Sequence, residues 1–282
     1  MKFNKLADIV LKEYFSNKKS PMNRTILNEL VSLIGDIPIK QIDYKTYDSL
    51  LKAWQDKGNS ASTINRKLKT LGSCLTYAAD RGLIPARPKF KMLTEDPEQL
   101  SFVLPEQETQ LLQYFTLTPE DEIKLSKEKQ IIKILMKAII IIGLDTGMRM
   151  SELLRINEDS IDGNYIRVWI NKNNTPRSIP MTKRVNNQIQ IIKQYGYFEL
   201  LNKPKVSYQF NETAVKELGF KNITFHSLRH TFASRLLQNG VPIYKVSKLL
   251  GHKDITITDK IYGHLRNQDL EDAIATIDNY TE

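Results

Sequence analysis

The chain has 282 residues, a formal charge of +9, a single cysteine and 41% hydrophobic residues. That length favours two modest domains, each able to bury a core. Cys74, standing alone, rules out an internal disulfide framework and suits a reducing, cytoplasmic setting.

The positive charge is uneven. Residues 1–95 hold 17 lysines and arginines against 9 acidic residues, whereas residues 96–282 hold 24 against 23. The N-terminal part is therefore the expected electrostatic grip on a polyanion such as DNA, with a merely solvated basic face as the alternative. The first residues carry no unbroken apolar run with a small-residue cleavage site, so no secretory leader is expected. The most apolar segment, residues 131–144, is shorter than the about 20 residues a membrane span needs and contains Lys133 and Lys137. It reads as a buried helix, and no membrane association is expected.

In chain order, helical spacing of apolar residues marks 6–15, 22–34 (closed by Gly35) and 44–55 (closed near Gly58). A fourth helix, capped by Ser62 or Thr63, runs through Leu68, Leu71 and Leu75 to Gly82. Arg66, Lys67 and Lys69 fall in its first turns, beside the positive end of its dipole, where they either meet a phosphate backbone or face water. Pro85 and Pro88 break helical structure, and residues 91–104 read as a linker between a helical domain at 1–90 and a second domain at 105–282.

In the second domain a helix begins near Leu104 and continues through Leu111 and Phe115, and residues 118–129 read as a solvated loop. Beyond Gly147, Arg149 opens a short helix through Leu153. Residues 165–170 alternate like a strand, 171–175 are turn-rich and 177–181 return, which puts Lys172 at a hairpin turn. A helix follows at 185–195, and Asn211 is read as the cap of another at 212–218. The fold class is thus mainly α with one small β-sheet.

Residues 224–265 hold all four histidines. Leu228, Phe232, Leu236 and Leu237 recur at helical spacing, placing His226, Arg229 and His230 on the first turns of an amphipathic helix closed by Gly240. A second helix, 242–250, ends at Gly251 and delivers His252 just beyond, and Tyr262 comes ten residues later. Two imidazoles, a guanidinium and a phenol on consecutive short elements suit attack on a phosphodiester better than acyl or glycosyl transfer. His226 and His230 stand at i and i+4, as in half of a zinc site, but the metalloprotease pattern needs Glu where this chain has Ser227. No metal site is expected.

The run His226-Ser-Leu-Arg229-His230-Thr-Phe-Ala-Ser, then Leu249-Leu-Gly-His252, then Tyr262-Gly-His-Leu resembles the C-terminal signature of the tyrosine recombinases, the phage-integrase family of site-specific DNA recombinases. Asp145-Thr-Gly-Met-Arg149-Met-Ser-Glu152 is similar to that family's first arginine motif, and the segment from Lys172 through Arg177 to Pro180 to its lysine hairpin. The interval from His252 to Tyr262 is one residue longer than in many members.

The resemblance implies a helical core-binding domain joined to an α+β catalytic domain, closing on double-stranded DNA. It implies Tyr262 as nucleophile, forming a 3′-phosphotyrosine, with His226 accepting the phenol proton. Arg149 and Arg229 would stabilise the extra charge on the phosphate, His252 would be a supporting donor, and Lys172 would protonate the departing 5′ oxygen. Glu152 and His230 are read as structural neighbours of these groups. Neither cofactor, metal nor ATP is implied. A homo-tetramer on two DNA sites is, along with a possible accessory directionality factor and a tail whose Leu270, Ala273, Ile274 and Ile277 dock on the next protomer. A phage or mobile element is favoured, an Xer-type chromosome-dimer resolvase or a type IB topoisomerase being the alternatives. The chain starts close to the core-binding helices, so a separate arm-binding domain is not expected within it.

Overall fold

The computed structural model describes residues 1–13, 21–95, 101–169 and 176–263. The chain divides into two compact units, Met1–Glu98 and Gln99–Glu282.

In the first unit α1 (Phe3–Glu13), α2 (Pro21–Ile34), α3 (Tyr44–Asp56) and α4 (Ala61–Asp80) surround one core. Each helix turns its apolar stripe inward: Phe3, Leu6 and Val10; Ile26, Leu27 and Leu30; Leu50 and Trp54; Ile64, Leu68, Leu71 and Leu75. Fully burying each such side chain is worth about 1.5–3 kcal/mol, which is what makes a four-helix unit of this size viable. The Asp43 carboxylate caps α3 by accepting from the amides of Lys45 (3.0 Å) and Thr46 (3.1 Å). The cap of α4 is Ser60, whose hydroxyl accepts from the Thr63 amide, rather than Ser62 or Thr63, so the helix starts two residues early. Tyr14 and Phe15, expected at the end of the first helix, lie outside the described residues.

Lys67 is a correction to the expected DNA-contact set. It shares the inward stripe with Ile64, Leu68 and Leu71, is buried, and gives its ammonium to Glu29 (2.8 Å) and to the Asn59 side-chain oxygen (3.2 Å). Its charge is used inside the unit, while Arg66 and Lys69 on the same helix are exposed. The expected linker also shortens. Lys91 and Leu93 are held by the first unit through Tyr47 and Asn65, and Val103 is already in the core of the second.

In the second unit α5 (Pro105–Tyr114) leads to α6 (Pro119–Lys124), where a loop was expected. Thr118, Pro119 and Asp121 explain it. The Thr118 hydroxyl accepts from the Asp121 amide while the Asp121 carboxylate accepts from the Thr118 amide, with proline at the first helical position. Asp121 also pairs with Lys133, and that hydrogen bond, with the Thr118 amide, brings its carboxyl down to about 2.

The unit is built around α7 (Lys127–Thr146), buried nearly all round from Leu135 to Leu144. Against it lie α9 (Lys183–Lys193) and α11 (Ser227–Gln238). The short α8 (Met150–Leu153) follows α7, and the three-stranded antiparallel sheet β1 (Ile161–Asp162), β2 (Tyr165–Val168), β3 (Arg177–Pro180) pairs Ile166 with Ile179 and Val168 with Arg177. Residues 170–175 of the hairpin, Lys172 among them, lie outside the described residues. A helix missed in the sequence, α10 (Lys203–Asn211), is capped by Asn202 and runs on into a π-helical turn, Glu212–Glu217, so Asn211 is internal to the run and caps nothing.

The chain then enters α11, α12 (Ile243–Leu250) and α13 (Ile255–Tyr262). Phe232, Ala233, Leu237, Val246, Leu250 and Tyr262 form a small apolar cluster of their own, apart from the main core. The proposed docking tail from Asn267 onward is outside the described residues. Among the described residues no helix is long and apolar enough to cross a membrane.

Gly147 joins α7 to the site. Its φ is +61°, and a Cβ there would overlap the Phe232 ring and sit 3.0 Å from a Leu250 methyl. Gly147→Ala is expected to cost about 2–4 kcal/mol, adding rigid-neighbour overlap to left-handed strain. Gly163→Ala, with φ +55° and open space around it, should cost only about 1 kcal/mol. Urea denaturation of both variants checks the difference.

Candidate active site

The site grows from the turn after α7. Gly147 takes the left-handed conformation that ends the helix, and its carbonyl accepts from Arg229 Nη1 at 2.7 Å. Two residues on, Arg149 precedes α8 in extended conformation, and its amide donates to Glu152 Oε2 at 2.8 Å. The same carboxylate accepts from Arg149 Nη1 (3.2 Å) and, as a fork, from Arg177 Nη1 (3.2 Å) and Nη2 (2.8 Å). Arg177 Nε donates to the Leu249 carbonyl at 2.7 Å. Burial alone pushes the Glu152 carboxyl upward, but the hydrogen bond and charge of Arg177, with the Arg149 amide and guanidinium, leave it lowered overall.

Arg229 leaves α11 toward this turn and is 3% exposed. Besides Gly147 it donates through Nη2 to the Leu250 carbonyl (2.7 Å) and to His252 Nε2 (2.9 Å). Burial, then the neighbouring Arg149 and Arg177, bring its pKa down to about 9, which still leaves a cation at neutral pH. Because a guanidinium only donates, His252 Nε2 must accept, and the imidazole proton belongs on Nδ1, 2.8 Å from Thr258 Oγ1. His252, expected as a donor, is in this state an acceptor. Burial followed by Arg229, Arg149 and Arg177 pushes its pKa to about 4.

Tyr262 ends α13 and is 2% exposed. The imidazole that meets its hydroxyl is that of His230, with Nδ1 at 2.7 Å, and not that of His226. His226 is exposed and stands edge-on to His230, the ring centroids 4.8 Å apart. Burial raises the Tyr262 phenol to about 12, only partly countered by Arg229, and burial with His226 and Arg229 lowers His230 to about 4. At neutral pH both groups are uncharged, and with the imidazole proton on Nε2 the phenol donates to Nδ1.

The structure thus gathers Arg149, Arg229, His252 and Tyr262, places His226 at the rim, and leaves Lys172 undescribed. It adds Arg177, Thr258 and the Gly147 carbonyl, which sequence reading did not single out, and gives His230 a specific partner. Arg177 had a signal, since it lies inside the hairpin motif. Among the described residues no group of three or more His, Cys, Asp or Glu is arranged to hold a metal ion.

The family model described as "Phage integrase family" matches residues 115–269, more than half of the chain. The chain belongs to the phage integrase family. Its members are tyrosine recombinases, enzymes that cleave and rejoin DNA. Tyrosine recombinase XerC of Staphylococcus carnosus (strain TM300) is 27% identical over 251 residues, covering 83% of this chain and 81% of that protein. XerC of Staphylococcus aureus (strain MSSA476) is 26% identical over 256 residues, covering 83% and 80%. Among solved structures, the Tn1549 transposon integrase in complex with transposon right end DNA superposes with a TM-score of 0.75 at 21% identity, covering 98% of this chain and 99% of that one. A lambda integrase dimer bound to a COC′ core site gives 0.73 at 18% identity, covering 93% and 77%. This integrase therefore has the tyrosine-recombinase fold over nearly its whole length.

The two depressed histidines fix a pH dependence. A folded-state pKa of about 4 against the usual 6.5 means the unfolded chain binds protons first as pH falls, so stability is lost between about 6.5 and 4 and is unaffected above. The urea midpoint should therefore fall from pH 7.5 to pH 5, and the double variant His230→Asn, His252→Asn should show a visibly smaller fall.

Proposed function

We propose that this integrase is a site-specific recombinase of a phage or other mobile element, working in the cytoplasm as a tetramer on two DNA sites. The observation that carries the chemistry is the adjacency of Arg149 and Arg229 beside Tyr262, with one buried carboxylate, Glu152, set against the three guanidiniums of Arg149, Arg177 and Arg229. A site with that surplus of positive charge suits a phosphodiester, whose non-bridging oxygens gain charge as the phosphorus becomes pentavalent.

In this reading the Tyr262 oxygen attacks phosphorus and a 3′-phosphotyrosine forms. The phenol proton passes to His226, and Lys172 protonates the leaving 5′ oxygen, so the bond energy is kept for rejoining and no ATP is needed. Arg66 and Lys69 of the first unit contact the DNA backbone. Dependence on an accessory directionality factor belongs to the same reading. The XerC similarity over most of the chain favours a second reading, chromosome-dimer resolution. Sequencing recombined junctions separates the two, since a chromosomal terminus site answers for the second and element ends for the first.

Tyr262→Phe should bind site DNA normally and form no covalent adduct on a denaturing gel with end-labelled DNA. An adduct persisting in the variant sinks the assignment. Lys172→Ala should abolish cleavage of ordinary DNA and be rescued by a bridging 5′ sulfur, since a thiolate leaves without a proton. Arg149→Ala should cost on the order of 10²-fold or more in cleavage rate without such rescue.

A further inference from the structure

The Tyr262 phenol cannot meet a phosphate where it stands. A nucleophilic oxygen must come into contact with phosphorus, and this side chain is 2% exposed, the largest member of the small cluster with Phe232, Ala233, Leu237, Val246 and Leu250. The buried members of that cluster come from α11, α12 and α13, with Val241 packed against them and Leu249 packed against both this cluster and the main core. The polar restraint on the phenol is its bond to His230 Nδ1.

His230 is suited to that task and ill suited to be the base that drives attack. It is the residue after Arg229 on α11, half-buried, with His226 edge-on beside it. The phenol at about 12 and the imidazole at about 4 lie far apart, so the proton stays on oxygen in the resting state. A buried hydroxyl left without this acceptor would lose the one hydrogen bond it makes among the described residues to offset its desolvation, which favours its departure from the cluster.

We infer that His230 is a positioning residue that holds the Tyr262 hydroxyl docked and recessed, and that the phenol must give up this bond before it can attack DNA. The inference rests on Tyr262 being the nucleophile. Holding the hydroxyl in this way contributes about two- to tenfold to the docked population, the range of one neutral hydrogen bond. His230 therefore restrains the nucleophile, whereas Arg149 and Arg229 serve the phosphate.

The test compares the full chain with His230→Ala, which removes the acceptor, and His230→Asn, whose amide oxygen falls close to the place of Nδ1. Phenol acetylation by N-acetylimidazole, mapped by peptide mass spectrometry without DNA, uses exposed Tyr44, Tyr208 and Tyr244 as internal references. Tyr262 should be protected in the native chain, react severalfold faster in His230→Ala and regain protection in His230→Asn. Covalent adduct on a nicked half-site should form about two- to tenfold faster in His230→Ala and return toward the native rate in His230→Asn.

Equal labelling of Tyr262 in the native and alanine chains overturns the inference, and so does slower adduct formation in His230→Ala restored by asparagine, which would make His230 a helper of attack. Should His230→Ala fail to fold, histidine ¹⁵N NMR of the native chain and Tyr262→Phe decides instead. Loss of the phenol should shift the His230 Nδ1 signal, and no shift refutes the bond. Absence of adduct in all chains would count against Tyr262 as nucleophile, while the labelling and NMR would still report on the docking.

Discussion

One buried carboxylate holds the catalytic unit in register. Glu152 is almost fully enclosed, and removing a lone carboxylate from water costs several kcal/mol unless its oxygens are matched. They are matched by the Arg149 amide and guanidinium from its own turn and by the fork of Arg177 from β3. Because Arg177 also gives its Nε–H to the Leu249 carbonyl, the same carboxylate fixes the sheet against the end of α12. Deleting it would leave two guanidiniums facing each other with no counter-charge, so the site and the local fold would fail together.

The balance around Glu152 also leaves the site with a surplus of positive charge. Arg149, Arg177 and Arg229 crowd one carboxylate, and burial first, then the neighbouring guanidiniums, lower the pKa values of Arg229 and His252. That surplus of positive charge around a single carboxylate is set up by folding itself. Keeping Arg229 seated on two backbone carbonyls supplies the rigidity that such an arrangement needs.

Much of this was legible in the sequence where short-range physics governs. The 3.6-residue spacing located the helices of the first unit and α7, because burial of one stripe decides each of them. The motif order placed Arg149, Arg229, His252 and Tyr262 together. Lys67 was misjudged although the information was present, since it lies on the same stripe as Ile64, Leu68 and Leu71 and therefore had to face inward. The α6 cap was equally available in Thr118, Pro119 and Asp121. His230 was different: its partner lies 32 residues away, and no local pattern predicts which of two imidazoles four positions apart a distant phenol will choose. The roles of Arg177 and of the Gly147 and Leu250 carbonyls are likewise tertiary facts.

The seat of Arg177 couples three parts of the catalytic unit: strand β3, the end of α12 and the Glu152 carboxylate. Its guanidinium lies so close over Gly251, which has φ +68°, that a Cβ there would fall 2.7 Å from Nη1, and the next residue is His252. Strand β3 is also the returning arm of the hairpin that carries Lys172. Any excursion of that arm large enough to lift Arg177 would loosen the turn that presents His252 and bare the Glu152 carboxylate. Strand, turn and carboxylate are thereby geared to one another, so the parts of the catalytic unit that Arg177 ties together shift as one body or not at all.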